Sequence, residues 1–408
     1  MKGSNVFVEF HALTSHVPAN LNRDELGTPK TALFGGVRRL RISSQCLKRT
    51  WRMSEFFRGA LAESELGVRT ATLPEILRGE LEADGLSADA IDGFVALLQA
   101  IGRRTGDAGS AGTAEQSETA ASDDARPEAH TAHLLFLSKQ EIDEVGAFAR
   151  ANKAKLEKVY ETKKGKKAVA KKELDKLRKG LQDHLRQSCK RNAVDVALFG
   201  RFITSDEIST VDAAMQVAHA IGTQQVEVEY DYFSAVDDWS PERGAGHIGE
   251  SEFASSVFYK YAVCDLALLR ANLGGDVKLA AKAMKGLASA VARAVPRGKS
   301  TSTAPQNPAD YLEIVVRRDA PVSLANAFLR PIRATADHDV MDASILALRQ
   351  QAERYAEAYG DDVIARYIMS LRDLALPGET TAVGNMTQLA SEVETVVGSV
   401  ELPATSEV

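Results

Sequence analysis

Alternating apolar and polar residues predict two strands early in the chain. Asn5–Ala12 places Val6, Val8 and Phe10 on one face, which is typical of a half-buried strand. A second strand is predicted at Val37–Ile42, after a loop-like stretch rich in Pro, Asn, Gly and Thr. Together these two segments indicate the start of a β-sheet.

A helix is predicted directly after the second strand. Ser43-Ser44 offers an N-cap, and the helix continues to about Phe57. Lys48 and Arg52 are four residues apart and therefore share one helical face. The helix should present these cations together.

The middle of the chain predicts helices around a low-complexity insertion. Residues 61–101 are predicted to be helical and acidic, and residues 137–191 to form long basic helices interrupted near Gly165. Residues 103–130 are dominated by Ala, Gly, Ser, Thr, Asp and Glu and lack large hydrophobic residues. We therefore expect a disordered insertion there.

The rest of the chain predicts alternating strands and helices. We expect strands at Val194–Phe202, within 224–236, at Glu252–Val263 and at Tyr311–Val316, and helices after Thr210, at 277–295 and over most of 323–359. The helix after Thr210 would bury Val211, Met215 and Ala218. The last ~30 residues are expected to be loop-rich and frayed. This mixed order of elements indicates an α+β fold.

The composition is that of an ordinary globular protein, with 44% of the 408 residues hydrophobic and 26% charged. The length suggests about two or three domains. No apolar run approaches the ~18 residues of a membrane span, and a strand-like segment follows the N-terminus directly, so we expect neither a span nor a signal peptide. Cys46, Cys189 and Cys264 lack C-x-x-C spacing, which favours a reducing cytoplasm over a zinc module or a disulfide framework.

Charge is segregated along the chain, although the net charge is −6. Residues 1–60 carry 10 basic and 4 acidic residues, and residues 150–191 carry 16 and 5. Residues 61–149 carry 6 basic and 17 acidic residues, and residues 192–408 carry 18 basic and 30 acidic residues. A single lysine-rich helix is as well explained by a solvated surface, but two separate basic blocks favour a polyanionic partner.

Three motifs that suggest other chemistry have simpler interpretations. Gly244–Gly249 matches G-x-G-x-x-G, but a strand-like run follows it instead of a helix, so a loop returning into a strand is favoured over a dinucleotide site. Gly298–Ser300 resembles the end of a phosphate-binding loop, but the first glycine of that motif would fall at Arg293. His219 lies one helical turn past Met215, which favours a core histidine over a ligand. No constellation supports an enzyme, and no cofactor is expected.

The start of the predicted helix is the best candidate for binding an anion. A helix N-terminus presents unpaired N–H groups, and Ser43, Ser44 and Gln45 add hydroxyl and amide donors. Lys48 and Arg52 project from the first turns, and three arginines flank the site: Arg38, Arg39 and Arg41. This pattern predicts a groove that follows a nucleic-acid backbone.

An aromatic pair lies in Tyr230–Asp238, which we predict to be a polar loop. Tyr232 and Phe233 could stack on nucleic-acid bases or wedge between them. Taken alone, the pair is equally well explained by packing in the core.

Ordered sequence blocks resemble a known family. Arg38–Arg49 (RRLRISSQCLKR), preceded by Asn20–Asp24 and Lys30–Gly36, closely resembles the CasC-type backbone subunit of Cascade, the type I-E CRISPR surveillance complex, in the RAMP superfamily. Further blocks extend the resemblance over most of residues 5–330: Phe199–Arg201, Val211–Ala214, Ala218–Ile221, Asp231–Asp238, Gly246–Tyr261, Asn307–Asp310 and Ser323–Phe328.

The resemblance implies a hand-like α+β fold with an RRM-like (ferredoxin-like) palm, a helical fingers insertion and a β-hairpin thumb. It implies palm segments at 1–58, 191–223 and 257–408, fingers at 59–190 that include the insertion 103–130, and a thumb at 224–256. Several copies would form a helical filament along a CRISPR guide RNA (crRNA), and each thumb would displace a base. Target DNA would pair with the guide, so that base pairing reads the sequence.

The same resemblance implies the residues of the interfaces. Nine would line the guide-RNA groove: Asn22, Arg23, Lys30, Arg41, Ser43, Gln45, Lys48, Arg49 and Arg52. Phe202 would stack on RNA bases, and Tyr232, Phe233 and Ser234 would form the thumb tip. Lysines of the fingers would attract target DNA: Lys163, Lys164, Lys166, Lys167, Lys171 and Lys172.

The resemblance implies a non-catalytic, cytoplasmic scaffold for antiviral defence. Its partners would be guide RNA, target DNA, further copies of itself and other Cascade subunits, with no membrane. One alternative is a nuclease, because related backbone subunits of type III effectors cleave target RNA with an aspartate in an N-terminal loop, and Asp24 lies in such a loop. Another alternative is an RNA-binding module that does not oligomerise.

Overall fold

The structure, a computed structural model, describes residues 5–101, 131, 134–163, 166–189, 191–202, 208–236, 239, 245–373 and 381–402. The strands are β1 (Val6–Ala19), β2 (Thr31–Phe34), β3 (Val37–Ile42), β4 (Gly67–Thr70), β5 (Leu135–Ser138), β6 (Tyr160–Lys163), β7 (Lys166–Val169), β8 (Met215–Val217), β9 (Ala220–Gly222), β10 (Glu229–Val236), β11 (Ala245–Asp265), β12 (Tyr311–Arg318), β13 (Val363–Ser370) and β14 (Thr381–Ala382). The helices are α1 (Ser44–Met53), α2 (Glu55–Arg58), α3 (Leu73–Ala83), α4 (Ala88–Ala100), α5 (Lys139–Ala151), α6 (Lys153–Leu156), α7 (Lys171–Ser188), α8 (Val194–Phe199), α9 (Leu266–Asn272), α10 (Val277–Arg293), α11 (Ser300–Thr303), α12 (Val340–Tyr359) and α13 (Met386–Ser399). The predicted α+β class is confirmed.

The chain forms two compact units. The sheet unit comprises Met1–Ala62, Ala214–Ala271 and Gly275–Val408, and the helical unit comprises Glu63–Ala213 and Asn272–Gly274. The segment 191–223, predicted as palm, is therefore divided between the two units. The assignment of palm, fingers and thumb to these units stays a prediction.

The sheet unit is built on β1 and β11, which pair in antiparallel fashion from Phe7 opposite Asp265 to Ala19 opposite Ala254. The strand order is β14-β13-β12-β1-β11-β9-β3-β2, and β8 and β10 also pair with β11. Strand β1 is longer and more buried than the alternation predicted. Pairing with β11 as far as Ala19 accounts for its length, and α10 and α12 pack against it and account for its burial.

Helix α10, the predicted alanine-rich helix, packs closely on α2. A Cβ atom at Gly286 would lie 2.9 Å from the Cβ of Ala60 and 3.2 Å from the carbonyl oxygen of Phe57. A larger residue would therefore force the two helices apart. Alanine is also the best helix former, so one composition favours both the helix and its close packing.

Helix α12 covers a second apolar cluster on the sheet, which contains Tyr259, Phe328, Ile345 and Leu348. The ring centroids of Tyr259 and Phe328 lie 5.2 Å apart. Each fully buried aliphatic side chain of this kind contributes about 1.5–3 kcal/mol to the free energy of unfolding. This packing fixes α12 and the segment before it on the sheet.

The helical unit has its own core, in which α3, α4, α5 and α7 enclose residues such as Leu77 and Phe94. Ser138 and Glu141 form a capping box at the start of α5. The Glu141 carboxylate also pairs with the buried Arg201 guanidinium at 2.8 Å. One carboxylate thus fixes both the helix start and the segment that follows α8.

Two predictions between residues 194 and 218 are wrong. Val194–Phe202 contains helix α8 instead of a strand, because a short apolar run has no periodicity that separates the two structures. In the described part of this region no helix follows Thr210; instead, β8 pairs with β11. Backbone pairing with a long neighbouring strand outweighs the local helical pattern.

The predictions for the C-terminal part are partly wrong. The helix expected over most of 323–359 begins only at Val340, and Ala325–Phe328 forms a 3-10 turn. The segment expected to be frayed contains α13, which is capped by the Asn385 side chain and packs on α10. Apolar residues of α13 are buried, and this tertiary contact stabilises a helix whose local signals are weak.

Of the long basic helices predicted over 137–191, the structure has α5, α6 and α7, and β6 and β7 form a two-stranded antiparallel pair between α6 and α7. Gly165 itself lies outside the described residues. The same is true of the insertion 103–130, so its disorder stays a prediction.

Candidate nucleic-acid interface

The junction between β3 and α1 is the centre of the candidate interface. The Ser43 hydroxyl oxygen accepts the backbone N–H of Cys46, which starts the helix where the sequence predicts it. The backbone N–H of Ser43 donates to Oδ1 of Asn22 at 2.9 Å. Ser43 and Asn22 therefore position the helix N-terminus.

Backbone hydrogen bonds bring Lys30 beside Arg41. The Lys30 N–H donates to the carbonyl oxygen of Asn22, and the Arg41 N–H donates to the carbonyl oxygen of Lys30, both at 2.8 Å. Burial raises the pKa of the Cys46 thiol, and the charges of Lys30 and Arg49 oppose this shift because both cations lie nearby. Loop, strand and helix thus contribute cations to one place.

His219 belongs to this surface, so its prediction as a core residue is wrong. It is exposed between β8 and β9, and its Nδ1 lies 2.8 Å from Nη1 of Arg41. Because a guanidinium can only donate, Nδ1 is the acceptor. Partial burial and the charges of Arg41 and Lys30 lower the pKa of His219. The ring is therefore neutral at neutral pH.

Helix α1 has an apolar face and a polar face. Leu47 and Trp51 are buried, whereas Gln45 and Arg49 are exposed. Lys48 is half-buried, and burial lowers the pKa of its ammonium group. This amphipathic pattern anchors the helix in the core and leaves its polar side available to a ligand.

Two of the predicted cations are buried. Arg39, expected to flank the site, is fully buried and donates to the carbonyl oxygens of Gly222, Thr223 and Phe328. It therefore has a structural role, and its placement beside the groove is wrong. Arg52 is only 8% exposed, so little of its surface is open to a ligand.

Six cations around the junction form no ion pair with any residue that the structure describes: Arg23, Lys30, Arg38, Arg41, Lys48 and Arg49. We call these six residues the basic surface. Their uncompensated charge and the partial positive charge of the α1 N-terminus act together on an anion. The geometry can therefore hold a polyanion along β3 and α1.

Asp24 is engaged within its own loop. Its Oδ1 accepts the backbone N–H groups of Leu26 and Thr28, and its Oδ2 accepts the Thr28 hydroxyl. The side-chain bond with Thr28 is the main cause that lowers the pKa of Asp24. The described residues contain no cluster of His, Cys, Asp or Glu that could hold a metal ion. This geometry gives Asp24 a structural role.

The predicted aromatic pair lies in a strand and not in a polar loop. Tyr232 and Phe233 belong to β10, where successive side chains point to opposite faces. The Phe233 ring covers Gly249 on β11, where a Cβ atom would clash with the ring. Tyr232 is 72% exposed, and Ser234, also exposed, is on the same face of the strand.

Two aromatic residues of this hairpin were not singled out from the sequence. Tyr230 is 62% exposed and lies two residues before Tyr232, on the same face of β10. Trp239, between β10 and β11, is 95% exposed. An exposed tryptophan within a polar stretch is the signal that could have identified the second residue.

The remaining predicted contacts lie in the helical unit. Phe202 is 88% exposed just after α8, an exposure compatible with stacking on a base. Lys171 and Lys172 form the start of α7. Lys163 lies in β6, and Lys166 and Lys167 lie in β7, but their side chains are not among those that the structure describes. Lys164 lies outside the described residues. Their DNA-binding role stays a prediction.

Comparison with known proteins identifies the family. A family model described as "CT1975-like protein" matches residues 8–395, nearly the whole chain. The chain belongs to the CT1975-like protein family. A search of curated proteins gives no match.

None of the helices in the described part of this CT1975-like protein has the length and hydropathy required to cross a bilayer.

Solved structures resemble this CT1975-like protein over almost its full length. A chain of a "CRISPR RNA-guided surveillance complex, pre-nicking" is 29% identical with a TM-score of 0.76, over 96% of this chain and 100% of that chain. A chain of a "CRISPR RNA-guided surveillance complex" is 24% identical with a TM-score of 0.67, over 95% and 99% respectively, and shares the fold. The 29% identical chain supports the predicted resemblance at the level of a CRISPR surveillance complex. The type I-E assignment stays a prediction.

Proposed function

We propose that this protein is a non-catalytic backbone subunit that binds the guide RNA of a CRISPR surveillance complex. The observation that carries the proposal is the basic surface, where six cations without described ion pairs surround the N-terminus of α1. The structural similarity to chains of CRISPR RNA-guided complexes supports guide RNA as the polyanion.

The proposed contact is to the RNA backbone and not to base edges. Lysine and arginine neutralise phosphates regardless of sequence, and a helix N-terminus adds backbone N–H donors. The Arg41–His219 pair places a further polar group beside these cations. Such a surface can hold any guide sequence and leave recognition to base pairing.

The finer assignment follows the sequence resemblance. We place the protein in a type I-E Cascade in the cytoplasm, with an RRM-like palm in the sheet unit, fingers in the helical unit and a thumb at the β10–β11 hairpin. Several copies form a filament along the guide, and target DNA pairs between the thumbs. The engagement of Asp24 in its own loop supports a non-catalytic role over RNA cleavage.

The decisive experiment is purification of the full chain with and without a co-expressed guide RNA. We expect short RNAs of uniform length to co-purify, and the mass of the complex to grow in steps as longer guides are supplied. A single copy bound regardless of RNA length would overturn the filament and favour a simple RNA-binding module.

A second experiment tests the nuclease alternative. The purified assembly is incubated with complementary RNA and Mg²⁺, and the Asp24→Ala variant serves as control. We expect intact RNA in both samples. Regularly spaced cuts that disappear in Asp24→Ala would contradict the non-catalytic assignment.

A further inference from the structure

Lys260 is a charged residue inside the core of the sheet unit. It lies on β11, and its residue is only 1% exposed. The exposed part includes the Nζ atom. Lys260 forms no hydrogen bond and no ion pair with any residue that the structure describes. A buried lysine is nearly always paired, because an ammonium group that leaves water without a partner destabilises the fold. Packing alone therefore does not explain a lysine at this position.

No carboxylate among the described residues compensates the charge of Lys260. Burial is the one cause that shifts its pKa, which is lowered to about 8. At neutral pH most molecules therefore carry the charged ammonium group. The neighbouring His16 has its pKa lowered to about 3, first by burial and then by the charge of Lys260. The His16 ring is neutral, so Lys260 is an isolated positive charge.

The hydroxyl of Thr14 adds an unpaired polar group on the same face of the sheet. Ala12 of β1 lies opposite Lys260, and Thr14 and His16 follow at alternate positions, so their side chains lie on the side of Lys260. The Oγ1 atom of Thr14 is buried and has no hydrogen-bond partner among the described residues. This face therefore holds polar groups that the described chain leaves unsatisfied.

The register of the sheet places Lys260 beside the start of α1. Tyr259 of β11 and Arg41 of β3 both lie opposite Ile221 of β9. Lys260 and Ile42, the next residue of each strand, therefore lie level with each other across β9. Ile42 is the last residue of β3 before the N-cap of α1. The unpaired lysine and the helix N-terminus thus belong to one part of the sheet unit.

The first turn of α1 presents unpaired donors. The Cys46 N–H donates to the Ser43 hydroxyl, but the N–H groups of Ser44 and Gln45 form no hydrogen bond with any described residue. Such N–H groups bind phosphate well, because they point out of the helix along its dipole. The unpaired ammonium group of Lys260 is an independent sign of an anion at the same place.

The segment between α10 and β12 borders this place from another side. Its Gly298 packs on the carbonyl group of Asn20, where a Cβ atom would clash. The carbonyl group of Pro305 lies close enough to His16 to oppose the lowering of its pKa. Lys299 forms no ion pair with any described residue. This segment therefore adds positive charge beside Lys260.

We propose that Lys260 is the floor of a site for one phosphate group, supplied by the backbone of the guide RNA. The Lys260 ammonium group and the N–H groups of Ser44 and Gln45 donate to its oxygens. The source of the phosphate rests on the proposed function, and Lys260 adds a buried residue to the contacts of the basic surface. A bound phosphate gives the buried charge a partner, so a charge that destabilises the free chain stabilises the complex.

The first test measures binding of single-stranded RNA to the full chain. Lys260→Met removes the charge and keeps a long side chain, and Lys285→Met is the matched control because Lys285 already pairs with Glu394. We expect Lys260→Met to bind about tenfold more weakly, with the slope of log K against log salt lowered by about one charge, and the control to bind like the wild type. Wild-type affinity in Lys260→Met, or a loss with an unchanged slope, would overturn the proposal.

The stability of the free chain separates a ligand-binding lysine from a structural one. Removal of an uncompensated buried charge should raise the urea midpoint of Lys260→Met above that of the wild type. A lower midpoint would show that Lys260 stabilises the free chain, and the proposal would then be wrong.

Inorganic phosphate separates a failure of this inference from a failure of the proposed function. Compared with chloride at equal ionic strength, phosphate should raise the urea midpoint of the wild type more than that of Lys260→Met. If the wild type binds no RNA and this difference remains, the proposed function fails while the phosphate site is supported. If phosphate raises both midpoints equally, the site itself is overturned.

Discussion

The basic surface and the salt-bridge network around Asp361 use arginine in opposite ways. In this network, Arg317 pairs with Glu9 and Asp361, Arg366 pairs with Glu313 and Asp361, and both arginines are largely buried. On the basic surface, Arg41 and Arg49 have no carboxylate partner among the described residues. A paired cation stabilises the fold, whereas an unpaired and accessible cation is available to a ligand. Residue type alone does not separate these roles.

The largest expected effect comes from two adjacent arginines of β3. Arg39→Ala leaves three carbonyl oxygens without their donor, and we expect it to lower the free energy of unfolding by about 4 kcal/mol. Arg38→Ala should leave stability unchanged and weaken RNA binding, because Arg38 is exposed. Urea denaturation and RNA titration of both variants measure this contrast. Equal stability of the two variants would remove the distinction between a buried, hydrogen-bonded arginine and an exposed one.

The next effect is a loss of stability when the ion pair between Glu9 and Arg317 is removed. Glu9→Gln should lower the free energy of unfolding by about 3 kcal/mol at pH 7, because Arg317 loses a buried partner. The pKa of Glu9 lies below its ordinary value of 4.5. Its contribution is therefore complete above pH 4.5 and is lost as the pH falls through the lower pKa of the folded state.

Urea denaturation of wild type and Glu9→Gln at several pH values tests this prediction. The difference in free energy of unfolding should shrink below pH 4.5 and stay constant above it. A difference that grows on acidification would show that the carboxylate is not stabilised in its charged form.

A smaller effect tests the basic surface itself. Lys48→Ala should weaken binding of single-stranded RNA about tenfold and lower the slope of log K against log salt by about one charge, whatever the sequence. Lys285 already pairs with Glu394 at 2.6 Å, so Lys285→Ala is the matched control. Fluorescence anisotropy over a range of salt concentrations measures both slopes. An unchanged slope for Lys48→Ala would remove this residue from the interface.

The smallest expected effect is a pH dependence from His219. Its pKa in the free protein lies below 6.5, and bound phosphate favours the charged ring, so RNA binding should be coupled to proton uptake. Binding should therefore strengthen about two- to fivefold as the pH falls from 8 towards the lowered pKa of the free ring. His219→Gln should abolish this gain while leaving affinity at pH 8 nearly unchanged. A pH dependence identical in both proteins would place His219 outside the contact.

Much of the sheet unit follows from local sequence patterns. The strands β1, β3 and β12 have strong alternating or apolar runs, and α1 begins at the N-cap that Ser43 predicts. The wrong predictions fall where the local signal is weak. Val194–Phe202 and the segment after Thr210 are short apolar runs, whose structure depends on what packs against them.

The candidate site was predicted in outline but not in detail. The positive charge near β3 and α1 could be read from composition, because charges are fixed by residue type. Arg39 and His219 were misassigned because accessibility depends on residues far away along the chain. Tyr232 was expected in a loop, yet the register of β10 on β11 decides which face it occupies.

The sequence by itself determined the charge blocks, the capped helix α1 and the class of fold, since these depend on residue types and on neighbours within a few positions. Only the tertiary structure decided which cations are free. Arg39 donates to carbonyl oxygens of Gly222 and Phe328, far away along the chain. Arg317 pairs with the carboxylates of Glu9 and Asp361, which are also far apart in the sequence. The physical reason is that pairing and burial are long-range properties, set when distant segments meet in one sheet.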